Sequence, residues 1–255
     1  MINLPLEPIE AVQVNPKRII IFGSPKCGKT ESLSRLKDNL ILDLEGGSGY
    51  VTGLKIDVLK ISRDNNISPL MALKNVINTI KEANEKKGSY VYRRITLDTV
   101  SILEDKYATE LALKIYKSKP VGRNYQGENI LDLPNGAGYG PLREAVEIIH
   151  EELENLCESL IISGHLKDKT IERSGAEFNV RMLDLAGKLP AIQCAKADAV
   201  AFCYRKENQT ILNFKSEEDL IVGARPDHLK NKQIVVLESD ENSNFTSHWD
   251  KIFIE

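Results

Sequence analysis

The octapeptide Gly23-Ser24-Pro25-Lys26-Cys27-Gly28-Lys29-Thr30 has the spacing G-x4-G-K-T. An apolar run, residues 18–22, precedes it, and a helix-compatible stretch, residues 31–36, follows. A strand, a glycine-bearing loop and a helix in that order make a P-loop, whose backbone N–H groups turn inward on phosphate oxygens. Gly23 and Gly28 permit the curl, and the helix adds the positive end of its dipole. Lys29 is then expected at the β- and γ-phosphates, and the Thr30 hydroxyl at a Mg²⁺ ion. A glycine-rich turn with a surface lysine would match the same letters, but few such turns lie between a buried strand and a helix.

A triphosphate site of this kind needs a second acid for the metal. Residues 94–98 form an apolar run ending in Asp98, where that acid belongs. Thr99 follows, so the glutamate that often activates water directly after this aspartate is missing. The best remaining base is Glu45, just past the apolar run 40–44. In an open α/β sheet, active groups gather at the carboxyl ends of strands, which Glu45, Asp98 and the P-loop all satisfy. A third strand end, 160–164, delivers His165, which, or else Lys167, could sense the γ-phosphate.

The elements that must hold these groups alternate. Strands are predicted at 18–22, 40–44, 57–61, 94–98, 160–164, 197–204, 210–214 and 234–237. Helices are predicted from Ser68-Pro69 to Gly88 and along 142–160, where Leu142, Val146, Ile149 and Leu153 make one face. Glu144, Glu147, Glu151, Glu154 and Glu158 are expected to form the solvated face opposite. The pattern implies an α/β fold with a mostly parallel central sheet flanked by helices. It reads as one domain over 1–255, with 1–16 an N-terminal extension and 106–141 an inserted loop region. Residues 117–141 and 167–188 look irregular, the second around Ser174-Gly175. The 255 residues carry a formal net charge of −3, so any nucleic-acid contact must come from a local patch. Four cysteines without C-x-x-C spacing argue against zinc and fit a reducing cytoplasm. Neither a signal peptide nor a membrane span is expected.

Together these residues resemble the RecA-like branch of P-loop ATPases. The match comprises the P-loop on the first strand, Asp43-Leu44-Glu45 after the next, the Asp98 acid and a polar sensor at a later strand end. Within that branch the chain is most similar to phage-encoded nucleotide-binding proteins that act as ATP-dependent single-strand annealing proteins. The shared features are Pro25-Lys26, Gly138-Tyr139-Gly140, Ser163-Gly164-His165, and Ala197-Asp198-Ala199-Val200 opening a C-terminal β-hairpin. The resemblance runs from about residue 17 to about 238. It implies ATP and Mg²⁺ as cofactors, Glu45 as general base, Lys29 and His165 as catalytic partners, and a cytoplasmic place in the host if the gene is a phage's. It also implies single-stranded DNA and a homo-oligomer, ring or filament, completed in trans by a basic finger such as Arg225, or Lys230 or Lys232.

Local support for DNA lies in Lys114, Lys117, Lys119, Arg123 and Tyr125, and in Lys167 and Lys169, because cations among aromatic rings suit a stacking surface that follows phosphates. The expected activity is therefore a slow, Mg²⁺-dependent, DNA-stimulated ATPase of recombination or annealing. A non-hydrolysing ATP switch is the alternative. A P-loop small-molecule kinase is disfavoured, since Arg123 and Arg143 are the only arginines between Arg94 and Arg173 to form a lid.

Overall fold

The computed structural model describes Glu7 and residues 10–173, 176–242 and 244–255. Half of the 1–16 extension, and Ser174 and Gly175, lie outside the described residues. The chain opens with β1 (Arg18–Gly23), α1 (Lys29–Ser34) and β2 (Asn39–Asp43). β3 (Lys55–Asp57) and α2 (Val58–Asp64) follow. The expected strand at 57–61 is therefore mostly helix. The apolar run Val58, Leu59, Ile61 suits either element, and the Asp57 carboxylate caps the helix by accepting the Lys60 N–H at 2.7 Å.

α3 (Pro69–Lys87) has the limits its sequence announces. Ser68 Oγ accepts the Met71 N–H at 3.2 Å, Pro69 opens the first turn, and Gly88 closes it at φ 70°. β4 (Arg94–Asp98) leads into a continuous helical run: α4 (Val100–Ile102), a π-helical stretch (Leu103–Ala108) and α5 (Thr109–Ser118). The segment 106–141 thus contains α5 and three 3-10 turns before α6 (Tyr139–Glu154).

β5 (Ser159–Arg173) and β6 (Ala176–Leu183) form a long antiparallel hairpin, so the stretch expected to be irregular at 167–188 is largely paired strand. Its residues 167–170 are exposed, which leaves no buried face for hydropathy to detect. α7 (Leu189–Lys196), β7 (Ala199–Lys206), β8 (Gln209–Asn213), β9 (Gly223–Ala224), β10 (Gln233–Ser239) and β11 (Phe245–Ser247) complete the chain.

The sheet order is β11-β10-β8-β7-β1-β5-β4-β2-β3, with β6 paired to β5 and β9 to β7. β3, β2, β4, β5, β1 and β7 run parallel, while β8, β10 and β11 continue antiparallel. This is the RecA-like arrangement, with the C-terminal hairpin at β7–β8. One core, built on Leu42, Leu97, Ile162 and Phe22, lies under α3, α5 and α6. The other, built on Ile21, Ile41, Ile161, Ala201 and Leu33, lies under α1 and is closed by Trp249, Ile252 and Phe253. β1, β2 and β4 are buried throughout, as strands of a parallel sheet covered on both faces must be. Among the described residues no helix is long and apolar enough to cross a membrane.

Candidate functional site

β1 ends at Gly23 and α1 begins at Lys29, so the P-loop bridges the carboxyl end of a central strand and a helix N-terminus. Gly28 caps that helix at φ 96°, a conformation that side chains other than glycine resist. Lys29 is buried, its Nζ donating to the carbonyls of Gly23 (2.9 Å) and Ser24 (3.0 Å). These bonds curl the loop over its own lysine.

Parallel register brings the acids to the same rim. Asp43 pairs with Asp98 across β2–β4, and Asp98 pairs with Ser163 across β4–β5. Gly23 pairs with His165 across β1–β5. Partners in register share a face, and alternation puts Asp98, Ser163 and His165 on the α1 side. Thr30 Oγ1 donates to Asp98 Oδ2 at 2.8 Å, so the hydroxyl and carboxylate expected to share a metal already meet. Both are hard oxygen donors, and the buried Ser163 Oγ beside them has no hydrogen-bond partner in the described structure. That set fits Mg²⁺, which Thr30 and Asp98 would hold.

Glu45 stands at the mouth. Its Oε2 is 3.7 Å from His165 Nε2, and its side chain is 46 % exposed. The Glu45, Gly46 and Ser48 amides donate to the Asp43 carboxylate at 3.0, 2.7 and 2.8 Å, and Leu44 N donates to Asp98 O at 2.7 Å. Burial pushes the Asp43 carboxyl up, but the Ser48 hydroxyl and the three amides outweigh it and hold its pKa below the usual range. Asp43 is thus the anchor of the Glu45 loop, a role that the Asp43-Leu44-Glu45 motif alone does not reveal.

From the same rim the structure runs outward. His165 O accepts Asp184 N at 3.0 Å at the root of the β5–β6 hairpin, and Ser101 Oγ donates to Asp184 O at 2.9 Å. Glu104, in the π-helical stretch, accepts Ala186 N on both carboxylate oxygens at 3.0 Å. Burial raises the Glu104 pKa. Beyond Ala186 opens a cavity of about 490 Å³, lined by Tyr139, Arg143, Gly187 and Lys188 among others. The N-termini of α6 and α7 both reach it, without side-chain caps and without acids in their first turns. Tyr139 is 42 % exposed. Sequence patterns missed this cavity because its walls come from two segments about 50 residues apart.

The expected DNA contacts are arranged differently. Lys114 pairs with Glu110 (2.6 Å), Lys119 with Glu144 (2.8 Å) and Lys167 with Asp184 (3.2 Å). Lys117 donates to Gly127 O at 3.2 Å and lies over Tyr125, whose hydroxyl donates to Asn129 O at 2.9 Å. Arg123 and Lys169 are exposed and make no ion pair among the described residues. Arg225 lies at the opposite rim, beside the start of β7, bonded to Asp198 (2.9 Å) and to Ala195 O (2.9 Å), so it cannot reach its own P-loop. Lys230 pairs with Asp227. A larger groove of about 1100 Å³, between the C-terminal ends of α3 and α6, is likewise remote from the P-loop.

No curated protein matches the chain. A solved structure described as the RadB recombinase aligns over 92 % of both chains at 10 % identity and a TM-score of 0.41, too loosely to decide anything about this protein. The family AAA_24, an AAA domain, matches residues 15–241. That span includes the P-loop, Glu45, Asp98, His165 and the hairpin, and the chain belongs to this AAA domain family.

Proposed function

We propose that the protein is a Mg²⁺-dependent ATPase that acts on single-stranded DNA, in annealing or recombination. The observation that carries the reading is convergence: Lys29, Thr30, Asp98, Glu45 and His165 come from four strand ends to one rim, and the hairpin and basic cavity grow from that rim. The P-loop amides and Lys29 would hold the β- and γ-phosphates. Bound Mg²⁺ would neutralise charge developing on the transferred phosphoryl group. Glu45 would orient and deprotonate the attacking water, and His165, within reach of Glu45, would register whether the γ-phosphate is there. Because His165 O and Asp184 N are bonded, a shift of His165 pulls on the hairpin and on the loop behind Ala186.

Single-stranded DNA is favoured over other partners by the cavity. Tyr139 offers a ring for a base, and Arg143, Lys188 and two helix N-termini offer positive potential for phosphates. The test is phosphate release with and without single-stranded DNA, in wild type and in Glu45→Gln. Wild type should turn over and be stimulated, and the variant should bind ATP but lose roughly 10²-fold or more in kcat. Tight ATP binding without turnover in wild type would instead mark a non-hydrolysing switch.

A further inference from the structure

Cys27 sits in the P-loop, and its Sγ is 3.7 Å from Lys29 Nζ. Cys203 lies on β7, one residue past the Phe22–Phe202 pairing, hence beside Gly23. Both cysteines belong to the core under α1, and both are buried. A Cβ placed on Gly23 would stand 3.1 Å from Cys27 Sγ and 2.2 Å from Cys203 O. Only a glycine fits between them, so the Cys27 sulfur packs almost directly on the Cys203 segment.

We propose that Cys27 and Cys203 are a redox-sensitive dithiol beneath the P-loop, which a hydroperoxide converts to a disulfide that weakens nucleotide binding. The Cys27 sulfur attacks one peroxide oxygen, the O–O bond breaks, and the other oxygen leaves as alcohol or water with a proton. Cys27 is then a sulfenic acid. The Cys203 sulfur displaces the sulfenic oxygen, which departs as water carrying the Cys203 proton, and the S–S bond closes. Two electrons pass from the sulfurs to the peroxide.

The pair is electrically asymmetric in the way this sequence needs. The neighbouring Cys203 lowers the Cys27 pKa to about 6, against the opposing effect of burial and with help from Lys29. Cys203 stays well above the ordinary thiol range, raised by Cys27 and by burial. Cys27, in the loop and the more accessible of the two, is the attacking sulfur, and the wholly buried Cys203 the resolving one. The other cysteines are inert by comparison, with burial raising Cys157 to about 12 and Cys194 to about 11.

The disulfide would matter for two reasons. It draws residue 27 toward β7, and the tight layer at Gly23 leaves no slack, so the loop amides must turn. It also ends the thiolate's attraction for Lys29. Conversely, a triphosphate that engages Lys29 takes the cation from Cys27 and covers the loop, so Mg²⁺–ATP should protect the dithiol.

The experiment treats the full chain with hydrogen peroxide near pH 7, blocks residual thiols and maps the digest by mass spectrometry. The expected product is a Cys27–Cys203 linked peptide, lighter by the two thiol hydrogens and restored by a dithiol reductant. Cys203→Ala should bind ATP as wild type does, form no link, and leave a Cys27 sulfenic acid that a 1,3-dione traps. Iodoacetamide should label Cys27 about tenfold faster than Cys157 or Cys194. Absence of the link, or equal labelling of all three cysteines, would overturn the proposal. The link does not require ATP to bind. If it forms but Mg²⁺–ATP neither slows it nor binds more weakly after it, the dithiol stands and its coupling to the nucleotide site is lost.

Discussion

In the proposed ATPase, Asp43 would act at one remove, by holding the loop that carries Glu45. Glu45 is half exposed and its one ion-pair partner among the described residues is His165, at 3.7 Å, so its own side chain does little to fix it. Its backbone is fixed instead by Asp43, whose two oxygens accept three consecutive-turn amides. Removing the carboxylate leaves three donors without an acceptor and lets Glu45 drift, and a displacement near 1 Å can cost about 10²-fold in rate. Asp43→Ala should therefore lower kcat roughly 10- to 100-fold with KM for ATP nearly unchanged. Asp43→Asn should recover much of the loss, because one amide oxygen can still serve Glu45 and Gly46. Equal rates in wild type and Asp43→Ala would detach the loop from catalysis. At this scale the sequence was legible wherever chemistry dictates spacing. Gly23 to Thr30 and Asp98 announce themselves, whereas Asp43, Glu104 and Cys203 act through folded neighbours that no spacing records.

Elements were legible in proportion to how strongly their ends are marked. α3 carries a cap, a proline and a terminal glycine, and it is where its sequence places it. The α2 segment and the β5–β6 hairpin depart from the sequence expectation, the first because a short apolar run fits two periods, the second because its pairing is in the backbone. α6 shows a subtler limit. Its glutamates were expected to be solvated, yet Glu147 pairs with Arg18 (3.2 Å) and Lys196 (2.8 Å), and Glu154 also pairs with Arg18. The cations come from β1 and α7, which only the fold brings to this face. Beside them His150 is wholly buried, its Nδ1 3.0 Å from Gln193 Oε1. Burial first, then Arg18, lower its pKa from 6.5 to about 4 despite Gln193 and Glu147, with Lys196 adding to the fall. The folded state holds His150 neutral where the unfolded chain would protonate it. Its contribution is complete above pH 6.5 and is lost as pH falls from there towards 4. Glu147, opposed by burial but lowered by Lys196 and Arg18 to about 2, contributes above 4.5 and loses that support between 4.5 and 2. Urea unfolding should thus show stability falling by on the order of 2–3 kcal/mol between pH 6.5 and 4. His150→Gln should flatten that interval, and Glu147→Gln the one below it. A wild-type midpoint constant from pH 7 to 4 would contradict the assignment.

Across the whole molecule, the sheet divides the chemistry from the support. The carboxyl rim holds the P-loop, Glu45, Asp98 and His165, and the opposite rim holds the Arg18–Glu147 network and Arg225. What lies beyond the active rim was the least legible part, since Tyr139, Arg143 and Lys188 meet only because the hairpin returns the chain to α6. The lysines singled out earlier in the chain, Lys114 and Lys119, already have carboxylate partners. Single-stranded DNA should therefore depend on the cavity and not on them. Stacking on one ring is worth about 1–3 kcal/mol per base, so Tyr139→Ala should weaken binding of a short oligonucleotide roughly 5- to 150-fold. Lys188→Ala should reduce the slope of log affinity against log salt by about 0.7, the signature of one lost phosphate contact on a single strand. Lys114→Ala should change neither, because its charge is spent on Glu110. Fluorescence anisotropy over a salt series reads all three at once. The dependence on Tyr139 separates stacking from a diffuse charge effect, for a surface that binds by charge alone would lose slope with Lys188 and nothing with the ring. Unaltered affinity in Tyr139→Ala together with a reduced slope in Lys114→Ala would move the strand onto α5 and away from the cavity.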